Sequence, residues 1–216
     1  MTSGRYETVQ AVFSGVLDLL ASRRCAACDR IIDLQTQAFC RPCDALVERH
    51  HSTGAVFEYG GPVAAAVGRF KYQGRSELGR VLGARMAEEA RVWVGRVDGV
   101  VPVPLHWRRR RTRGYDQAAL LARPVARALE VPAWFRCLRR IRSTQSQVAI
   151  SHAARLRNVQ GAFRARALAG SPRLVLVDDV RTTGATLAAA ADALRAAGAG
   201  EVHTLVLAVR VLGRAT

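Results

Sequence analysis

With 216 residues, half of them hydrophobic, the chain holds enough apolar material for one medium α/β domain plus a small appendage without disulfide support. Its formal net charge is +16, yet only one of its 33 basic residues, Lys71, is a lysine. No run of about 18 uncharged apolar residues occurs, which argues against membrane insertion. The Val9–Leu20 run is broken by Gln10 and Asp18 and followed by no small-residue cleavage site, so a cytoplasmic rather than a secreted location is expected.

In chain order, Phe13–Leu20 predicts a short lead-in helix. The spacing Cys25-x2-Cys28-x11-Cys40-x2-Cys43 follows. Each Cys-x-x-Cys turn spans one edge of a tetrahedral metal, and four thiolates leave no open position, so a structural zinc is predicted. Disulfides are the alternative, disfavoured in a reducing compartment. A polar link at His50–Gly54 closes this part, with His50 and His51 read as facing solvent. The boundary predicts an N-terminal helix and zinc module over 1–54 and a larger domain over 55–216.

The apolar run Val63–Val67 leads into Phe70-Lys71-Tyr72-Gln73-Gly74, and Leu78, Val81, Leu82 and Met86 then recur at helical spacing. Gly99–Pro104 reads as a buried strand ended by prolines, which cannot donate to a sheet ladder. A helix is predicted over Asp116–Leu129, kinked or broken at Pro124. Trp134–Leu138 reads as a short strand, with Cys137 a small buried hydrophobe, and Arg139–Gly161 is polar and basic. Leu174–Val177 is a strand, Thr186–Ala197 a helix ended by Gly198, and Glu201–Val209 a last strand. The alternation predicts an α/β fold with a parallel sheet flanked by helices.

The charge excess is local. Residues 108–166 hold 15 arginines against two acids, whereas 1–107 hold 13 basic and 11 acidic residues. A drift in composition would spread evenly, so the middle segment faces an anion. Val175–Val180 followed by Arg181–Thr186 places two acids, Asp178 and Asp179, before a turn rich in hydroxyls that opens a helix. Backbone N–H groups and hydroxyls from Thr182 to Thr186 form an anion cradle, Gly184 keeps the backbone approachable, and the acids can accept from sugar hydroxyls. An acidic strand end before a helix capped by Thr183 would give the same pattern. Arg108, Arg109, Arg110, Arg111 and Arg113 follow the Leu105-His106 strand end; guanidinium groups pair with phosphate oxygens, although a solvated basic loop is the alternative. Thr144, Gln145, Ser146 and Gln147, with Ser151, Arg155, Arg157 and Asn158 beyond, are too polar for core and read as a surface loop.

The Asp178–Thr186 segment resembles the phosphoribosyl diphosphate (PRPP) signature of type I phosphoribosyltransferases. More narrowly, the chain resembles the ComF family of competence-associated proteins. The four cysteines, Lys71-Tyr72-x-Gly74, Val101-Pro102-Val103-Pro104 leading to Arg111-x-Arg113-Gly114-Tyr115-x-Gln117, Gln145-Ser146 with Arg157-Asn158 downstream, and the PRPP signature occur in that family's order. Asp116 departs from the usual asparagine, and His152 stands where a basic loop residue is common.

The resemblance implies a type I phosphoribosyltransferase-like sheet with a small N-terminal zinc module. It implies that Asp178 and Asp179 hold the ribose hydroxyls and Thr182, Thr183, Gly184, Ala185 and Thr186 the 5′-phosphate. Leu105, His106, Arg108–Arg111 and Arg113 would face pyrophosphate, Thr144–Gln147 would form a flexible loop, and Asp178, Asp179, Arg155 and Arg157 would serve catalysis. The implied activity is transfer of phosphoribosyl from PRPP, carried with Mg²⁺, to a small-molecule acceptor. The absence of an acid at Thr182 weakens the case for a 6-oxopurine acceptor. A second expectation is an accessory of single-stranded DNA uptake that binds PRPP or a nucleotide with little turnover; a third is a scaffold whose zinc module docks a partner. Arginines confined to the cleft would favour the first, and arginines spreading outward as a stripe the second. Neither the acceptor nor the oligomeric state is legible in the sequence.

Overall fold

The structure, a computed structural model, describes residues 24–32, 38–106, 111–142, 159 and 161–211. Four parallel strands form the central sheet: β1 (Ala55–Glu58), β2 (Gly99–Pro102), β5 (Arg173–Arg181) and β6 (Glu201–Val209), in the order β1-β6-β5-β2. β3 (Leu138–Arg140) and β4 (Phe163–Ala165) form a separate antiparallel pair. The helices are α1 (Arg41–Asp44), α2 (Gly61–Tyr72), α3 (Leu78–Ala90), α4 (Gln117–Ala128) and α5 (Ala185–Ala196). Among the described residues no helix is long and apolar enough to cross a membrane.

Strand alternation divides the core into two layers. Val175 and Val177 of β5, Leu205 and Leu207 of β6 and Val100 of β2 pack with Phe70 of α2, Leu82 and Met86 of α3 and Leu121 and Val125 of α4. The intervening Leu174, Leu176, Val206 and Val101 pack with Leu187, Ala190 and Leu194 of α5 and with Leu138 and Phe163 of the hairpin. Successive side chains point to opposite faces, and both faces are covered by helices, so the buried stretches Leu174–Val177 and Leu205–Val209 are apolar without a break, as the cores of parallel strands are.

Two expectations are corrected. Pro124 neither ends nor divides α4, which runs unbroken from Gln117 to Ala128. A helical proline costs about 3 kcal/mol, and here close packing offsets it. A Cβ on Gly79 would lie 2.6 Å from Leu120 Cβ, and one on Gly83 would lie 2.9 Å from Pro124 Cγ. Two glycines one helical turn apart thus let α3 lie against the proline stretch of α4. The short strand lies at Leu138–Arg140 rather than Trp134–Leu138. Ala133 makes a single bridge to Val100, Trp134 lies against Gly99, and the chain then turns, with Cys137 N–H donating to the Trp134 carbonyl, before pairing begins. The predicted helix at Phe13–Leu20 lies outside the described residues.

The cysteine knuckles share the first core layer. Phe39 meets Phe57 of β1 edge-on with ring centroids 5.9 Å apart, and Cys25, Ala26 and Cys40 are buried in the same cluster. Asp29, in the left-handed region at φ 65°, is held by Arg69 at 2.8 Å and Arg75 at 2.7 Å.

Candidate functional site

β2 pairs with β5 only as far as Val177, and Val103 N–H closes that edge by donating to the Val177 carbonyl at 2.8 Å. Beyond it β5 continues against β6 alone, with Asp178 opposite Val206 and Arg181 opposite Val209. Asp178 and Asp179 therefore stand beside a crevice at the carboxyl end of the sheet, where ligands of open parallel sheets bind. Asp179 is buried and Asp178 partly accessible; the Asp178 carboxylate accepts the Asp179 N–H at 2.8 Å.

The counter-charge comes from the far end of α2. Lys71 Nζ lies 2.7 Å from Asp179 Oδ1. Burial disfavours the ammonium, but the Asp179 carboxylate and, to a smaller extent, Asp178 and Tyr72 together outweigh it and hold Lys71 above the ordinary lysine value. Burial, with the neighbouring Asp179 charge, pushes Asp178 up to about 7, while the Asp179 N–H and Lys71 pull the other way. The segment after β2 fixes this end of α2. Tyr115 OH donates to the Phe70 carbonyl, and the Arg113 guanidinium stacks over the exposed Tyr72 ring at 5.0 Å while donating to Gln117. Asp116 accepts from Ala119 N–H at the start of α4 and from Leu105 N–H at 3.2 Å, so one carboxylate caps the helix and ties down the strand end. Each contact takes a separate carboxylate oxygen, and asparagine, with one amide oxygen and a donor NH2, has only one such acceptor to offer.

After the acids, Thr182 and Thr183 lead to Gly184 at φ 77°, and α5 begins at Ala185. A Cβ on Gly184 would meet nothing within 4 Å, so the left-handed backbone rather than lack of room requires glycine. Thr183 Oγ1 accepts from Ala185 N–H at 3.4 Å. The turn thus sets the amino end of α5, where N–H groups and the helix dipole favour an anion, beside the acids. Leu105 and buried His106 lie on the strand-end segment, and Arg111 and Arg113 precede α4. Arg108, Arg109, Arg110, Thr144, Gln145, Ser146, Gln147, Arg155 and Arg157 lie outside the described residues.

The four cysteine sulfurs all lie within 4.8 Å of one another, and Cys28 and Cys40 Sγ are 3.6 Å apart. Zn–S bonds of about 2.3 Å in a tetrahedron require sulfurs about 3.8 Å apart, whereas a disulfide needs about 2.05 Å. The cluster is compatible with a structural zinc, and the cysteines are unpaired. The Arg30 N–H, against the effect of burial and helped by the other three cysteines, lowers the Cys28 thiol to about 7, whereas burial and the neighbouring cysteines push Cys43 up.

Not all of the excess arginine lines the crevice. On the hairpin Arg139 and Arg164 are direct cross-strand partners and both are exposed. Beyond them Arg136 and Arg166 border a groove of about 470 Å³ floored by Trp134, Phe135 and Leu168. Leu168 N–H donates to Ala197, just past the carboxyl end of α5, which puts the groove at the opposite end from the Gly184 turn.

Residues 116–214 match the phosphoribosyl transferase domain model. The chain is 35% identical over 158 residues to DNA utilization protein YhgH of Salmonella typhi, covering 71% of this chain and 70% of that one. The chain belongs to the ComF family. Escherichia coli K12 YhgH is 34% identical over 157 residues (70% of this chain, 69% of that one), and Competence protein F of Haemophilus influenzae is 33% identical over 158 residues, covering 68% of each. Among solved structures, glutamine PRPP amidotransferase from B. subtilis, complexed with ADP and GMP, gives a TM-score of 0.41 at 25% identity over 64% of this chain; this chain spans 30% of that longer one. As a ComF member the chain has a phosphoribosyltransferase-type α/β fold and an N-terminal four-cysteine module.

Sequence reasoning did not single out Lys71 or Tyr72 as site residues. The available signals were the Lys71-Tyr72-x-Gly74 motif, noted for the family resemblance but given no role, and composition, since Lys71 is the one lysine among 33 basic residues.

Proposed function

We propose that the protein binds PRPP in the crevice beyond Val177 and transfers its phosphoribosyl group to a small-molecule acceptor, releasing pyrophosphate. The observation that carries this reading is the juxtaposition of the Asp178–Asp179 pair with the Gly184 turn at the amino end of α5. In this reading the acids accept hydrogen bonds from the ribose hydroxyls, and the Thr182–Thr186 turn takes the 5′-phosphate. Arg111 and Arg113, with Arg108–Arg110, draw negative charge on the leaving group as the bond from C1 to the pyrophosphate oxygen breaks and the acceptor bonds to C1. Mg²⁺ carried with the substrate would supply further positive charge on the pyrophosphate. Thr144–Gln147, Arg155 and Arg157 belong to a loop that closes on the bound sugar and excludes water. The zinc module over 1–54 shapes the N-terminal side of a domain over 55–216, and four unpaired thiols fit the reducing cytoplasm. Calorimetric titration with PRPP and Mg²⁺ tests the reading; no heat of binding would reject it.

A second reading draws on the hairpin. Like charges directly opposite on an antiparallel pair destabilise it, so Arg139 and Arg164 suit a surface that meets a polyanion. With Arg136, Arg166 and the exposed ring of Phe135 they make a basic stripe leading away from the crevice. Guanidinium groups on phosphates and a ring under bases are the elements of single-strand binding, and two relatives are named for DNA utilization and for competence. In this reading the stripe tracks single-stranded DNA away from the PRPP crevice, toward the other end of α5.

A further inference from the structure

Two adjacent carboxylates are a poor host for a substrate carrying a phosphate and a pyrophosphate, because like charges repel most where solvent is excluded. The crevice resolves this with one side chain. Lys71 sits 2.7 Å from Asp179, is only 19% exposed, and is the one ammonium side chain in a protein whose other 32 basic residues are arginines. An ammonium is a compact point charge on a flexible stem, whereas a guanidinium is a wider planar fork. Its placement is enforced from both sides. The Phe70 carbonyl before it is held by Tyr115, and the Tyr72 ring after it by Arg113. Three elements distant in sequence thus converge to hold one amine against the acid pair.

Building on the PRPP reading, we propose that Lys71 is a substrate-binding residue. It pairs with Asp179 and supplies the positive charge that lets an anionic sugar phosphate lie against two acids. When PRPP enters, the Asp179 oxygen turns to a ribose hydroxyl and the ammonium reorients toward the phosphate oxygens of the ligand.

The single lysine makes the test direct. Reductive methylation of the zinc-loaded full chain with ¹³C-formaldehyde labels Lys71 and the terminal amine alone, and dimethylation preserves charge. Addition of PRPP with Mg²⁺ should shift the Lys71 methyl resonance and leave the terminal one in place. In parallel, Lys71→Met should weaken PRPP on the order of tenfold or more, and Lys71→Arg should recover only part of that loss, because the wider guanidinium keeps the charge without the compact fit. A Lys71 signal unmoved at PRPP saturation overturns the proposal even if Lys71→Met fails to fold. So does a folded Lys71→Met protein with wild-type affinity. Wild-type protein that binds no PRPP at all overturns the reading of the preceding section and this one with it.

Discussion

Replacing Asp178 by asparagine should make the protein progressively more stable than wild type as pH rises. Burial and the adjacent Asp179 charge push Asp178 from the ordinary 3.8 to about 7, while the oxygen that accepts the Asp179 N–H would survive in the amide. A carboxyl that resists ionisation when folded favours the folded state while protonated. That contribution is complete below 3.8 and is lost as pH rises through about 7. Between about pH 5.5 and pH 8 the loss spans about 1.5 pH units, or about 2 kcal/mol at about 1.4 kcal/mol each. Partial access to solvent reduces it to about 1 kcal/mol. For a chain of this length 1 kcal/mol moves Tm by about 2–4 °C. Thermal unfolding of both proteins with zinc present, at the two pH values, should show the variant gaining about that much on wild type. Equal Tm differences at both pH values, or a variant less stable at pH 8, would refute the reasoning.

Chelation of zinc should unfold more than the knuckles, because Phe39 and the buried cysteines pack with Phe57 and Phe70; near-ultraviolet dichroism during chelator titration should report loss of tertiary packing, and metal analysis one zinc per chain. Gly79→Ala gains up to about 1 kcal/mol of helix propensity, but the new methyl meets Leu120 Cβ and should cost about 1–3 kcal/mol net in urea unfolding. Arg139→Ala with Arg164→Ala should leave PRPP affinity unchanged and reduce the log–log salt slope of single-strand binding by about 0.7 for each phosphate no longer neutralised. An unchanged slope in that variant removes the hairpin from any nucleic-acid surface.

What was legible in the sequence was local. β5, the Gly184 turn and α5 follow one another within a short stretch, so apolar run, turn chemistry and helix periodicity lie side by side and can be read together. The cysteine spacing is local in the same sense. What escaped depends on packing between distant segments. Lys71 sits at the end of a helix more than 100 residues before Asp179, and although Lys71-Tyr72-x-Gly74 stands out as a motif, its spacing does not say that it meets the acid pair. Pro124 reads as a kink or a break, and that the helix runs on past it is not legible unless Gly79 and Gly83 are known to lie against α4. The hairpin strand starts late because Ala133 and Trp134 are first drawn to β2. That Asp29 and Phe39 weld the knuckles to the main core is likewise invisible in their spacing.

The central claim is that PRPP binds at the acid pair and the Gly184 turn. Isothermal calorimetry with PRPP and Mg²⁺, on wild type and on the Asp178→Asn/Asp179→Asn double variant, tests it most directly. The account predicts one site per chain in wild type and no measurable binding in the variant, with zinc content and folding unchanged. Equal affinity of the two proteins for PRPP would contradict it.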